Sequence, residues 1–170
     1  MQDRQDDALH SLTKSIEHGS KWAGDYINRG IIYYRKHNYR NALSDYDKAV
    51  SLSPRDAQCY YNRGMLRQEL GDYNRALDDF TQAINFSPDQ IEFYYQRGMV
   101  SLQLRQWQDA LDDFNIIIKR YPYFLPAYYL AAQAETSLGH GKKAYQLRQQ
   151  AYTLEQQKDS IQSLQTNMQV

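Results

Sequence analysis

The sequence predicts an all-α protein built from tandem helical hairpins, and three observations support this prediction. Tyrosine recurs with a period of 34 residues, at Tyr26, Tyr60, Tyr94 and Tyr128. A small residue follows each of them at the same period: Gly30, Gly64, Gly98 and Ala132. Alanine and then proline recur later in the period: Ala42, Ala76, Ala110 and Ala144, then Pro54, Pro88 and Pro122. A fixed period this short is typical of a stacked array of one repeated unit.

The sequence predicts two helices in each unit, and residues 57–90 illustrate the pattern. Apolar and small residues recur there at helical spacings of three and four: Tyr60, Gly64, Ala76, Phe80, Ala83 and Ile84. Between them, Gly71 can take the left-handed conformation that ends a helix, and Asp72 can cap the next one. Pro88 ends the second helix because it restricts the residue before it to extended geometry.

This pattern resembles the tetratricopeptide repeat, which has an aromatic residue, then Gly or Ala, then Tyr, Ala, an aromatic, Ala and a closing Pro. Residues 23–56, 57–90 and 91–124 fit it closely, and residues 125–156 fit it more loosely. The resemblance implies a right-handed superhelix, an α-solenoid of antiparallel helical hairpins. It also implies that the first helices of the hairpins line a concave surface that binds other polypeptides.

The ends of the chain depart from the pattern. In phase with the later repeats, Ala8 and Leu12 predict that residues 1–22 hold the second helix of a preceding repeat. Either this helix is a natural N-terminal cap, or the chain was cut from a longer array. In the fourth unit Arg148 replaces the aromatic residue and Gln156 replaces the proline. We therefore expect residues 157–170 to form a C-terminal helical extension.

An arginine recurs on the core side of the first helix, and an aspartate recurs in the second. In an antiparallel hairpin the two positions lie level with each other, which pairs Arg29 with Asp45, Arg63 with Asp79 and Arg97 with Asp113. The fourth unit has Ala131 and Leu147 instead, so the two charges are present together or absent together. A bidentate ion pair between the helices explains this covariation. The alternative is that both charges lie on a solvated face.

The composition argues against several classes of partner. There are 20 basic and 20 acidic residues, whereas nucleic acids and anionic membrane surfaces recruit clustered positive charge. No apolar stretch approaches the roughly 20 residues that a membrane span needs. We expect a soluble chain that does not insert into membranes, either cytoplasmic or, if the full-length chain is exported, periplasmic. The single cysteine, Cys59, excludes an internal disulfide.

The sequence offers no set of residues for catalysis, metal binding or a cofactor. The adjacent carboxylates at 78–79 and 112–113 point about 100° apart on a helix, so they cannot share one site as a catalytic pair does. The histidines fall at unrelated phases, which we expect to be near helix ends and turns: His10, His18, His37 and His140. We expect Cys59 to be a partly buried packing residue. We therefore predict that the protein is not an enzyme.

The family resemblance implies that a peptide or protein segment binds to the inner face of the first helices. The positions concerned hold Ile27, Asn28, Ile31, Tyr34, Tyr61, Asn62, Met65, Gln68, Tyr95, Gln96, Met99, Leu102, Tyr129 and Gln133. Tyrosine and methionine offer adaptable apolar contact, and amides can bond a main chain. We expect a partner with apolar or aromatic side chains. Two alternatives are that these residues only pack neighbouring hairpins together, and that the repeat ends or the C-terminal helix mediate self-association.

Overall fold

The computed structural model describes the backbone of residues 2–167 and the side-chain surroundings of residues 4–158. Within that range it is all-α, as predicted, with nine helices and no strand. The helices are α1 (Gln2–Glu17), α2 (Ala23–Arg35), α3 (Tyr39–Leu52), α4 (Ala57–Glu69), α5 (Tyr73–Phe86), α6 (Ile91–Gln103), α7 (Trp107–Arg120), α8 (Leu125–Ser137) and α9 (Gly141–Asn167).

The chain divides into two compact units. Unit 1 ends at Phe93, and it holds the hairpins α2–α3 and α4–α5 together with α1 and the first residues of α6. Unit 2 begins at Tyr94, and it holds the hairpins α6–α7 and α8–α9. In unit 1, α1 packs against α2 and α3 packs against α4. In unit 2, α7 packs against α8.

Every hairpin turn places a residue with positive φ at the same position of the repeat. Gly71 has φ +76° and Gly139 has φ +82°, as expected for residues that end a helix. The equivalent positions hold His37 (φ 57°) and Arg105 (φ 59°), which the sequence does not single out. The predicted cap at Asp72 is wrong in one respect. Asp72 stands at the N-cap position, but its side chain makes no capping hydrogen bond.

The two helices of a hairpin approach closely where a glycine faces an aromatic ring. A Cβ atom added to Gly64 would lie 2.9 Å from Phe80, and one added to Gly98 would lie 2.8 Å from Phe114. In the first hairpin a Cβ atom added to Gly30 would lie 2.6 Å from the Tyr46 ring. Only a residue without a side chain allows this approach, which explains the periodic glycine.

In two of the hairpins the periodic tyrosine forms a hydrogen bond to the carbonyl of a proline in the preceding chain. The Tyr60 hydroxyl donates a hydrogen bond to the carbonyl of Pro54 at 3.0 Å, six residues earlier. The Tyr128 hydroxyl donates in the same way to the carbonyl of Pro122 at 2.9 Å. Each bond links a first helix to the bend that precedes it, and the fourth unit keeps this tyrosine although it lacks the arginine.

The terminal helices are part of the packed structure. Ile16 of α1 packs against a cluster that includes Ala23 and Tyr26, and the Ser15 hydroxyl donates to Asp25 at 2.7 Å. At the other end α9 packs against α8 and continues as one helix to Asn167, through most of the expected helical extension at residues 157–170. Residues 168–170 of the expected extension lie outside the described residues.

We predict that Gly64→Ala lowers the free energy of unfolding by about 1–3 kcal/mol, because the added methyl group overpacks the contact with Phe80. Gly141→Ala is the matched control, since nothing lies within 4 Å of the added Cβ there. Urea unfolding of both variants measures the difference. Equal stability of the Gly64 variant and the parent would contradict this account of the periodic glycine.

Candidate protein-binding surface

In unit 1 the predicted surface residues of α2 and α4 are mostly half-buried. Asn28 is exposed, whereas the other seven are partly buried: Ile27, Ile31, Tyr34, Tyr61, Asn62, Met65 and Gln68. Ile27 packs against the core cluster around Tyr26, and Ile31 and Tyr34 pack against the cluster around Tyr46. These residues therefore contribute to hairpin packing as well as to the surface.

Tyr61 lies beside a shallow recess at the start of α4. Its ring lies 6.0 Å from that of Phe80 and 5.1 Å from that of Phe93, measured between centroids. The recess has a volume of about 340 Å³, and two carboxylate residues, Asp56 and Glu92, are among its lining residues. The lining includes no lysine or arginine. This part of unit 1 combines an aromatic wall with negative charge.

In unit 2 the most exposed of the predicted residues are on α8. Tyr129 retains 45% of its surface and Gln133 is exposed one helical turn later. Tyr95, Gln96 and Met99 of α6 are partly buried.

Two predicted surface residues of α6 are more buried than an open groove would require. Leu102 is only 7% exposed, so its assignment to the binding surface is wrong, and it belongs to the core of unit 2. The Tyr95 ring lies 6.4 Å from that of Phe114 and 5.7 Å from that of Phe124. Tyr95 is therefore a packing residue in part, as the alternative interpretation of these positions anticipated.

The three predicted ion pairs are present in the structure. Arg29 Nε donates to Asp45 at 2.8 Å and its Nη2 donates at 2.7 Å, which is a bidentate contact. Arg97 contacts Asp113 through the same two nitrogens at 2.9 and 2.7 Å. Arg63 Nη2 lies 2.7 Å from Asp79, whose side chain is 2% exposed. Each pair joins the two helices of one hairpin next to the glycine contact.

The pair in the α4–α5 hairpin belongs to a larger network that the sequence did not predict. Arg67 Nη1 donates to the second oxygen of Asp79 at 2.8 Å, so two arginines share one buried carboxylate. Arg63 Nη1 also donates to Asp47 of α3 at 2.8 Å. Arg63 thereby links three helices of unit 1. Asp47 and Arg67 have no charged equivalents one repeat away, so periodicity could not reveal them.

The surroundings of these arginines keep them charged. The hydrogen bonds that Arg29 donates to Asp45 raise the pKa of Arg29 despite its burial. Burial is the largest single effect on the pKa of Arg63 and would lower it, but the hydrogen bonds to Asp79 and Asp47 and the charges of these two residues together raise it. Each guanidinium also lies over the tyrosine three residues before it, at 5.6 Å for Arg63 and Tyr60. The pairs are structural features of the hairpins.

The cysteine and the histidines that could have served in catalysis or metal binding lie in surroundings that explain them as structural residues. Cys59 is fully buried, rather than partly buried as expected, and burial raises the pKa of its thiol to about 12. His10 lies within α1, not near its end. His140 contacts the buried Glu135 at 2.6 Å beside the last hairpin turn. Within residues 4–158, no group of three or more histidine, cysteine or acidic side chains is placed to hold a metal ion.

Two family models described as tetratricopeptide repeat match the chain, at residues 30–90 and 61–123. Together they cover residues 30–123, which is more than half of the sequence. The protein belongs to the tetratricopeptide-repeat family. No curated protein matches it in a sequence comparison. No helix in the described part of the chain is long and apolar enough to cross a membrane.

Solved structures share the fold at low sequence identity. MamA is 21% identical, with a TM-score of 0.86 over 94% of this chain and 93% of that one. YrrB, described as a TPR protein with an unusual peptide-binding site, is 22% identical, with a TM-score of 0.81 over 98% of this chain and 84% of that one. MamA from Desulfovibrio magneticus RS-1 is 18% identical, with a TM-score of 0.82 over 91% and 88%. The predicted fold class, an all-α solenoid of antiparallel hairpins, is therefore confirmed.

We predict that Arg63→Ala and Asp79→Ala each lower the free energy of unfolding by roughly 1–3 kcal/mol, because Asp79 would keep only Arg67 and Arg63 would keep only Asp47 as a charged partner. The double variant should lose less than the sum of the two. Arg75 and Asp72 form an exposed pair, 72% and 40% accessible, and serve as the control with a coupling below about 1 kcal/mol. Additive losses at Arg63 and Asp79 in urea unfolding would contradict a direct pairing.

Proposed function

We propose that the protein is a non-catalytic scaffold that binds a peptide or protein segment on the first-helix surface of its repeats. The observation that carries the proposal is the exposed face of α8, where Tyr129 and Gln133 stand one turn apart. An aromatic ring beside an amide suits a polypeptide, because the ring offers apolar contact and the amide can bond the main chain. YrrB, which shares the fold, is described as having an unusual peptide-binding site, and this agrees with the proposal.

The partner that fits these surfaces carries apolar or aromatic side chains and little negative charge. The recess beside Tyr61 is lined by Asp56 and Glu92 without a basic residue, so an acidic segment would meet like charge there. Some tetratricopeptide modules grip an acidic carboxyl terminus of a chaperone with basic residues. At the positions they use, this chain has Ile27, Ile31, Glu92 and Gln96, and only Asn62 matches. In addition, the Asn62 amide nitrogen donates to the Gln58 carbonyl at 2.9 Å.

We predict that an acidic carboxyl-terminal chaperone peptide shows no binding in calorimetry at low ionic strength, where charge attraction would be strongest. The comparison peptide has the same length, with its acidic residues replaced by glutamine and leucine. Micromolar affinity for the acidic peptide would contradict the proposed charge preference.

A second prediction tests the position of the surface. Peptides selected from a random library on the immobilised protein should bind with a dissociation constant of about 1 μM, or about −8 kcal/mol. Tyr129→Ala should weaken that binding by about 1–2 kcal/mol, because aromatic anchors dominate such contacts. Its stability should change little, since the ring is already half-exposed.

Tyr145→Ala is the matched control, since this tyrosine is also exposed, at 62%, but lies on α9. Calorimetry with the same peptides measures both variants. Loss of binding in the Tyr145 variant with full binding in the Tyr129 variant would place the site elsewhere and overturn the proposed surface.

A further inference from the structure

An apolar groove runs between α1 and α2 of unit 1, separate from the recess at Tyr61. Its volume is about 640 Å³, and its floor is formed by Ala8 and Leu12 of α1 with Ile31 and Ile32 of α2. Ala8 is exposed and Leu12 is partly exposed. An apolar groove is one of the recurring sites at which proteins bind the apolar face of an amphipathic helix.

The same groove recurs one repeat later in unit 1, and there it is filled. Three floor residues have equivalents 34 positions on: Ala8 and Ala42, Leu12 and Tyr46, Ile32 and Leu66. The later three form one buried cluster, and α2 covers it with Ile31, Tyr33 and Tyr34. As a result Ala42 is 0% exposed, whereas Ala8 is exposed. The internal repeat thus shows what kind of element covers this surface: a helix with apolar residues spaced as those of α2.

The chemistry of the open groove differs from that of the filled one at two positions. Ser11 stands where the later repeat has Asp45, the carboxylate that pairs with Arg29. Leu12 stands where the later repeat has the Tyr46 ring that meets Gly30. A helix in the open groove therefore has no carboxylate at Ser11 to receive an arginine.

Charge at the groove reinforces this preference. Arg4 and Arg35 are both among the lining residues and both exposed, and the lining contains no aspartate or glutamate. A basic side chain opposite Ser11 would be buried without a partner and near two like charges, which disfavours it.

We propose that the α1–α2 groove binds an amphipathic helix of another protein, seated as α2 is seated on α3 and α4. The helix presents apolar residues at the spacing of Ile31 and Tyr34, and a small uncharged residue where α2 has Arg29. This groove shares Asn28 and Ile31 of α2 with the first-helix surface, but the proposed function is carried by Tyr129 and Gln133 of α8, so either proposal can fail without the other. The inference continues a packing interface that the chain already uses.

The first test uses two helix-stabilised peptides with the sequence of residues 23–35, one unchanged and one with Arg29→Ala. Stabilisation is needed because a free helix of this length is marginal in water. The probe with alanine should bind the 170-residue chain at least about fivefold more tightly than the unchanged one in fluorescence anisotropy, since roughly 1 kcal/mol corresponds to that ratio. Equal affinities, or no binding by either peptide at millimolar concentration, would overturn the proposal.

Reciprocal changes in the protein locate the binding. Ser11→Asp supplies the missing carboxylate and should reverse the order of the two peptides. Ala8→Trp fills the groove and should abolish binding of both. His10→Gln, an exposed change on the same helix, is the control and should leave both affinities unchanged. Binding that survives Ala8→Trp in a variant with an unchanged circular dichroism spectrum would show that the peptides bind elsewhere, and would overturn the proposal.

A thiol probe distinguishes the possible occupants. Cys59 is buried, so Ala8→Cys adds the one accessible thiol among residues 4–158. We expect it to react rapidly with maleimide in the chain alone and to be protected at least about tenfold by the alanine-containing peptide. Protection that rises with protein concentration, together with dimers in sedimentation, would assign the groove to a second copy. Protection in a monomer at every concentration would assign it to a segment of the same chain. Either result would overturn binding of another protein's helix.

Discussion

The close approach of two helices at a residue without a side chain is the constraint on which each hairpin depends. Gly64 brings α4 against the Phe80 ring of α5, and the same approach brings Arg63 level with Asp79. Burial of the ring and pairing of the charges are therefore one arrangement, not two independent features. In the last hairpin Arg148 replaces the ring, and Ala132 replaces the glycine because there is no ring to avoid. The charged pair is absent from the same hairpin, as this coupling requires.

The buried ion pairs contribute more to the correct register of the two helices in a hairpin than to the total free energy of unfolding. Removing two charges from water costs several kcal/mol per ion, which their attraction only partly offsets. Burial accordingly raises the pKa of the Asp113 carboxyl even though Arg97 donates two hydrogen bonds to it. What the pairs contribute is register, because a hairpin that slipped along its axis would leave each charge buried alone. Arg63 extends this control to α3 through Asp47.

Repetition also explains why this chain presents two different kinds of surface. A repeated unit buries its apolar face only against its neighbours, so each first helix has both a packing role and a surface role. Tyr61 and Tyr95 illustrate the overlap, since their rings pack against phenylalanines. Tyr129 is the most exposed of the equivalent residues. The α1–α2 groove presents the stacking surface itself, with Ala8 exposed where its equivalents are buried.

The sequence by itself determined the helical repeat, its period and the partners of Arg29, Arg63 and Arg97. These features can be inferred from one sequence because equivalent positions of its repeats can be compared, and residues with the same structural role recur at the same period. The tertiary structure alone decided which inner-face residues remain accessible. Leu102 and Tyr129 occupy surface positions of the same repeat pattern, yet one is buried and the other exposed. It also revealed Asp47, which joins α3 to α4, and Arg67, which shares Asp79 within the α4–α5 hairpin. Neither residue has a charged equivalent one repeat away, and a single occurrence leaves no period to detect.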